Sequence, residues 1–83
     1  MARVKVIVSY ELPSGDRCVD IFRRMDGTFG FEEYRRDAED PSGWFALGVY
    51  SDQIFHLESA VTDAAVNQIT WLSDVIAACN LSN

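Results

Sequence analysis

The 83-residue chain has one histidine, two cysteines and no lysine or arginine beyond position 36, and each shortage removes a class of function. Any acid–base or nucleophilic scheme that needs an imidazole must use His56, and no nucleophile-elbow sequence surrounds a serine or aspartate. Cys18 and Cys79 stand singly, with no second ligand at knuckle or helix spacing, so no metal site is expected. One cysteine pair without an export signal does not make a disulfide framework, and both are expected as reduced residues in or near the core. Gly27-Thr28-Phe29-Gly30 is not followed by a helical pattern, so it is no phosphate cradle, and no cofactor is expected. Long apolar runs are missing as well. The first residues enter an alternating segment, which gives no signal-peptide core and no membrane span and makes the cytoplasm the expected location.

The charge that is present is unevenly spread. All seven basic residues (Arg3, Lys5, Arg17, Arg23, Arg24, Arg35 and Arg36) share the first 36 positions with six acids, for a balance of +1, whereas the remainder carries seven acids and no base, for −7. Two solvated surfaces of different sign account for this, or one of them meets a partner of opposite charge. With 48% apolar and 12% aromatic residues, the composition is that of a folded protein rather than a disordered one. A chain this short holds one domain, residues 1–83, and buries only roughly 60% of its unfolded surface, so the isolated monomer is marginal and self-association is a natural remedy.

Residues 3–12 alternate, with Val4, Val6, Val8, Tyr10 and Leu12 on one side and Arg3, Lys5, Ser9 and Glu11 on the other, Ile7 among them; this is a half-buried strand. Pro13-Ser14-Gly15-Asp16 supplies turn residues. Residues 17–24 and 28–36 form a hairpin across Asp26-Gly27, a pair suited to positive φ. A two-residue loop there sets Arg24 opposite Phe29, Phe22 opposite Phe31 and Asp20 opposite Glu33, and sends Val19, Ile21 and Tyr34 to the other face. A bulge near Glu32-Glu33 is expected to relieve the like-charge pair and the split of apolar residues. Residues 37–43 read as an acidic connection, and residues 44–50 as a fourth strand in which Gly48 marks a bulge or close approach. From Ser59, the expected N-cap, or already from Ser51, Val61, Ala65, Ile69, Leu72, Ile76 and Cys79 trace one face of a single long helix. The fold class is therefore α+β, an antiparallel β-meander of about four strands packed against one long C-terminal helix.

Val19-Asp20-Ile21-Phe22-Arg23-Arg24-Met25-Asp26-Gly27-Thr28-Phe29-Gly30-Phe31, and Tyr50-Ser51 ahead of an alanine-rich helix, resemble the hairpin and helix entry of the YegP-like domains, a bacterial family of unknown biochemical role. The likeness spans about residues 19–66, and its motifs are structural. It implies three strands, a helix and a final strand, paired as tandem repeats or dimers that share one sheet, and it supplies no catalytic residues. The chain departs from that pattern in its added strand at 3–12 and in having only residues 80–83 after the helix.

A second helix stripe, Ala60, Ala64, Trp71, Val75 and Ala78, widens the apolar surface beyond what one sheet face requires. The expected function is a noncatalytic interaction module that self-associates as a homodimer through Trp71, Val75, Ala64 and Ala78. The alternative is a nucleic-acid or acidic protein partner bound by Arg23, Arg24, Arg35 and Arg36, which flank Phe29, Phe31 and Tyr34; against it stand the overall charge of −6 and the absence of an RNP-type sequence. A small enzyme is the least expected reading. Glu32-Glu33 are strand neighbours that point to opposite faces and cannot share a site, and Glu39-Asp40 belong to a solvated loop.

Overall fold

The computed structural model describes residues 4–37, 39 and 43–81. The expected strand start at Arg3 and most of the 37–43 connection lie outside them. Four antiparallel strands, β1 (Val4–Glu11), β2 (Arg17–Arg24), β3 (Phe29–Arg35) and β4 (Phe45–Ala46), form a sheet in chain order, and two helices follow, α1 (Glu58–Gln68) and α2 (Leu72–Leu81). The α+β class and the meander stand as expected. The single long helix does not. Among the described residues, no helix is long and apolar enough to cross a membrane.

The β2–β3 hairpin turns through three residues rather than two. Arg24 N–H donates to Thr28 O (2.7 Å) and Gly27 N–H to Arg24 O (3.0 Å), which leaves Met25, Asp26 and Gly27 as the loop. Gly27 takes φ +89°, the left-handed residue that completes a three-residue hairpin loop. Asp26 accepts hydrogen bonds from the Thr28 amide (2.9 Å) and hydroxyl (2.6 Å), fixing the turn locally. The extra loop residue slips the register by one. Ile21 now faces Phe31, Val19 faces Glu33, and Phe22 faces Gly30. Since side chains alternate across a strand, the slip gathers Val19, Ile21 and Phe31 on one face, and all three are fully buried. The expected bulge at Glu32-Glu33 is absent: this register removes the split of apolar residues, while the like-charge pairing that the bulge was also to relieve persists as Asp20 opposite Glu32.

The bulge that does occur lies in β1, between Val6 and Val8. Val8 pairs with Ile21 and points to the core, whereas Val6 pairs with Phe22 and points to the opposite face. The uniform alternation expected for Val4, Val6, Val8, Tyr10 and Leu12 is thus broken, and Val4 and Val6 stay about half exposed (49% and 46%).

The fourth strand is also shorter than its pattern. After Ala46 the chain swings out at Gly48 (φ +74°) and regains β3 at Phe55, which exchanges both backbone hydrogen bonds with Phe29 (2.7 and 3.0 Å). Two side chains hold the detour. Glu32, on the face away from the helices, accepts the Ser51 N–H (3.1 Å) and the Glu33 N–H (2.9 Å). Arg24 donates to the carbonyls of Phe29 (2.9 Å), Ser51 (2.7 Å) and Gln53 (3.2 Å), with its guanidinium 5.1 Å from the centre of the Phe22 ring. Within the detour, Tyr50 stacks on Phe31 with ring centres 5.0 Å apart.

Helix α1 begins at Glu58 with Leu57 as its N-cap and no side-chain cap, so Ser59 does not serve that role. The acid at the first position suits the helix dipole instead. The helix stops where Ile69, Thr70 and Trp71 follow one another, two β-branched residues and an aromatic, all weaker helix formers than the alanines before them. Ile69 is extended (φ −112°, ψ 105°), its N–H closes α1 on Ala65 O, and Leu72 N–H turns back to Ile69 O to open α2. The elbow keeps Ile69 and Leu72 in the core with Val61 and Ala65, as the first stripe required, while Ile76 is half-buried and Cys79 is exposed.

Gly30 is a tight point in this arrangement. A Cβ there would lie 2.5 Å from Arg24 Nη2 and 2.8 Å from Phe22 Cε1. Gly30→Ala is expected to cost about 1–3 kcal/mol, the usual penalty of overpacking. Urea denaturation measures it, and an unchanged midpoint would show that ring and guanidinium are not packed against the strand as described.

Candidate functional site

The four arginines proposed for an anionic partner are not brought together. Arg24 is engaged with the β4 detour, and Arg36 donates to Gly15 O (2.7 Å) with its guanidinium 4.4 Å from the Trp44 ring centre. Arg23 and Arg35 are exposed, but they stand at opposite ends of the hairpin, Arg23 beside the turn opposite Phe29 and Arg35 at the open end opposite Arg17.

The residues proposed for self-association are divided by the elbow. Ala64 lies on α1 and packs against the core. Trp71 sits in the elbow, half-buried, and its indole N–H donates to Glu33 Oε2 (2.9 Å). Val75 (half-buried) and Ala78 (exposed) lie on α2. His56 is exposed in the link between Phe55 and α1, and no group of three potential metal ligands gathers among the described residues.

Sequence reasoning did not foresee a cleft of about 440 Å³ between the β1–β2 turn and the helix elbow. Leu12, Ser14, Asp16 and Arg17 line one side, Gln68, Ile69, Thr70 and Trp71 the other, with Glu33 and Tyr50 between. Its volume falls within the ~300–1,000 Å³ typical of small-ligand sites. The register slip puts Glu33 there, because it turns Glu33 toward the helices together with Val19 and Phe31. Only 7% of Glu33 is exposed. Its carboxylate receives the Trp71 indole and faces Arg17 Nη1 at 3.5 Å, both through Oε2. Burial, and then the Glu33 and Glu32 carboxylates, push the Tyr50 pKa up, so its phenol stays protonated. At the cleft mouth the Ser14 hydroxyl donates to Asp16 (2.5 Å) and holds that carboxyl below its usual pKa. Gln68 is already engaged, exchanging reciprocal amide hydrogen bonds with Gln53 (2.8 and 2.9 Å). The like-charge pair expected at Asp20 and Glu33 falls instead on Asp20 and Glu32, so it was no guide to this carboxylate.

On the opposite face of the sheet, Cys18 lies beside Asp20, with its sulfur 3.5 Å from Oδ1, and Asp20 also accepts the Ser9 hydroxyl (2.6 Å). Burial, then the charge of Asp20 and its hydrogen bond with the thiol, push the Cys18 pKa up from 9.0 to about 12. The neutral thiol is therefore poorly disposed to act as a nucleophile near neutral pH. No family model, curated protein or solved structure matches the chain.

A raised thiol pKa stabilises the fold fully below the unfolded value and loses that contribution as pH climbs toward the folded one. Folding stability is thus expected to fall from about pH 9 to pH 12 more steeply in the native protein than in Cys18→Ala, the window being set by the Cys18 shift. Tyr50, also raised, contributes to both proteins alike, whereas the part of the Tyr34 rise that comes from Cys18 is lost with it and adds to the difference. Denaturant titrations at stepped pH decide the matter, and parallel curves would remove Cys18 from the account.

Proposed function

We propose that the chain is a small noncatalytic interaction module whose partner is a second copy of itself, joined through α2. The observation that carries this reading is the composition of α2 against its burial. Of its described side chains, residues 72–79, only Leu72 is fully buried and only Asp74 is charged; Val75 and Ile76 are half-buried, and Ala77, Ala78 and Cys79 are exposed. A helix this apolar is ordinarily covered on more than one side. The exposed alanines allow a second helix to approach closely, and a two-fold pairing brings the same stripe from both copies together, with Asp74 free to stay at the rim. Small size adds to the case, since association buries surface that a chain of 83 residues cannot bury alone. An anionic partner on the arginine-bearing sheet has less support, because Arg24 and Arg36 spend their donors within the chain.

Light scattering at two protein concentrations and at low and high salt tests the reading. The expected mass is twice the 9.3 kDa of the chain at both salts, because apolar contacts are not screened. Val75→Asp should give a folded monomer, its fold checked by circular dichroism. A native protein that stays monomeric at both concentrations, or a Val75→Asp variant that stays dimeric, would overturn the proposal.

A further inference from the structure

We propose that the cleft at the helix elbow binds a small organic cation, a ligand that presents an ammonium or guanidinium group to Glu33. This inference is independent of self-association, since it rests on the elbow, β2, β3, the β1–β2 turn and Tyr50 of the detour rather than on the exposed stripe of α2.

Glu33 is more than nine-tenths buried, yet its carboxylate is only half used. The Trp71 indole and Arg17 both address Oε2. Oε1 accepts no hydrogen bond from the described residues, and since no buried side-chain oxygen or nitrogen among them lacks a partner, Oε1 keeps some exposure to solvent, on a residue that lines the cleft. With only 7% of Glu33 exposed, that oxygen meets fewer waters than one on an open surface, and a charged donor makes the strongest hydrogen bond to it. The walls favour the same chemistry. Tyr50 and Trp71 both line the space, and aromatic rings attract cations that have shed part of their hydration. Asp16, ionised at the mouth, adds a second carboxylate, partly offset by Arg35 and Arg36 in the neighbouring hollow, whereas the one base lining the cleft itself among the described residues, Arg17, already faces Glu33. An anion would meet two carboxylates and a guanidinium that is spoken for. A neutral ligand would leave Oε1 with a weaker donor.

The test uses Trp71 fluorescence in a Trp44→Phe background, so that one indole reports. Butylammonium and butylguanidinium chlorides are titrated at constant ionic strength, with sodium butyrate as the anionic counterpart. A saturable change with either cation and none with butyrate is expected, and the cation that binds more tightly assigns the group. Glu33→Gln keeps an acceptor for the indole but removes the charge, and should weaken binding at least tenfold. Arg17→Gln removes the competing guanidinium and should tighten binding several-fold, which keeps the test decisive if Glu33→Gln fails to fold. No saturable change with either cation, a stronger response to butyrate, undiminished binding to folded Glu33→Gln, or unchanged or weakened binding to Arg17→Gln would each overturn the proposal.

Discussion

One extra residue in the β2–β3 loop governs this structure. Because side chains alternate along a strand, moving the register by a single position exchanges the two faces of β3 relative to β2. The three-residue loop Met25, Asp26 and Gly27 sets the register in which Ile21 lies across from Phe31 and in which the adjacent acids Glu32 and Glu33 part company. Glu33 goes to the helix side, where Trp71 and Arg17 receive it. Glu32 goes to the other side, where it secures a backbone N–H of the segment that leaves β4. The core, the cleft and the anchored detour after β4 all follow from that loop.

The buried acids also show how a small protein handles polar groups in its interior. Neither Glu32 nor Glu33 is buried without partners, and the donors come from distant parts of the chain: the Ser51 amide for one, the Trp71 indole for the other. Hydrogen bonds of this kind are costly to leave unmade, which makes them selective for one arrangement of the elements they join. Arg24 performs the matching task for carbonyls, collecting three of them from β3 and from the detour, and it sits against Phe22 where a side chain at Gly30 would collide with both.

Much of the fold was legible from pattern. The limits of β2 follow from its flanking turn residues, and the first helix stripe names Val61, Ala65, Ile69 and Leu72, all of which enter the core. Loop length was not legible, because Asp-Gly serves a two-residue turn and also the end of a three-residue loop, and only packing chooses between them. The break in the helix had a local signal in Ile69, Thr70 and Trp71, but the continuing apolar period outweighed it. Ile7, apolar on the side shared with Lys5 and Ser9, marked the place where β1 changes faces. The cleft had no such signal, since positions 17, 33, 50 and 71 share no periodicity and meet only once the elbow and the detour have formed.

The bulge at Ile7 bears on how this sheet meets other molecules. β1 is an eight-residue edge strand, and a straight edge of that length, with valines exposed, would be a template for another strand to add and for stacked growth to continue. The bulge throws the two halves of β1 out of phase, so that a second β1 laid antiparallel beside it can match one half or the other but not both, and a match centred on the first half sets Lys5 against Lys5. At the far edge, β4 contributes two residues before the chain swings away. With both borders of the sheet blunted, open-ended growth by strand addition is discouraged at each.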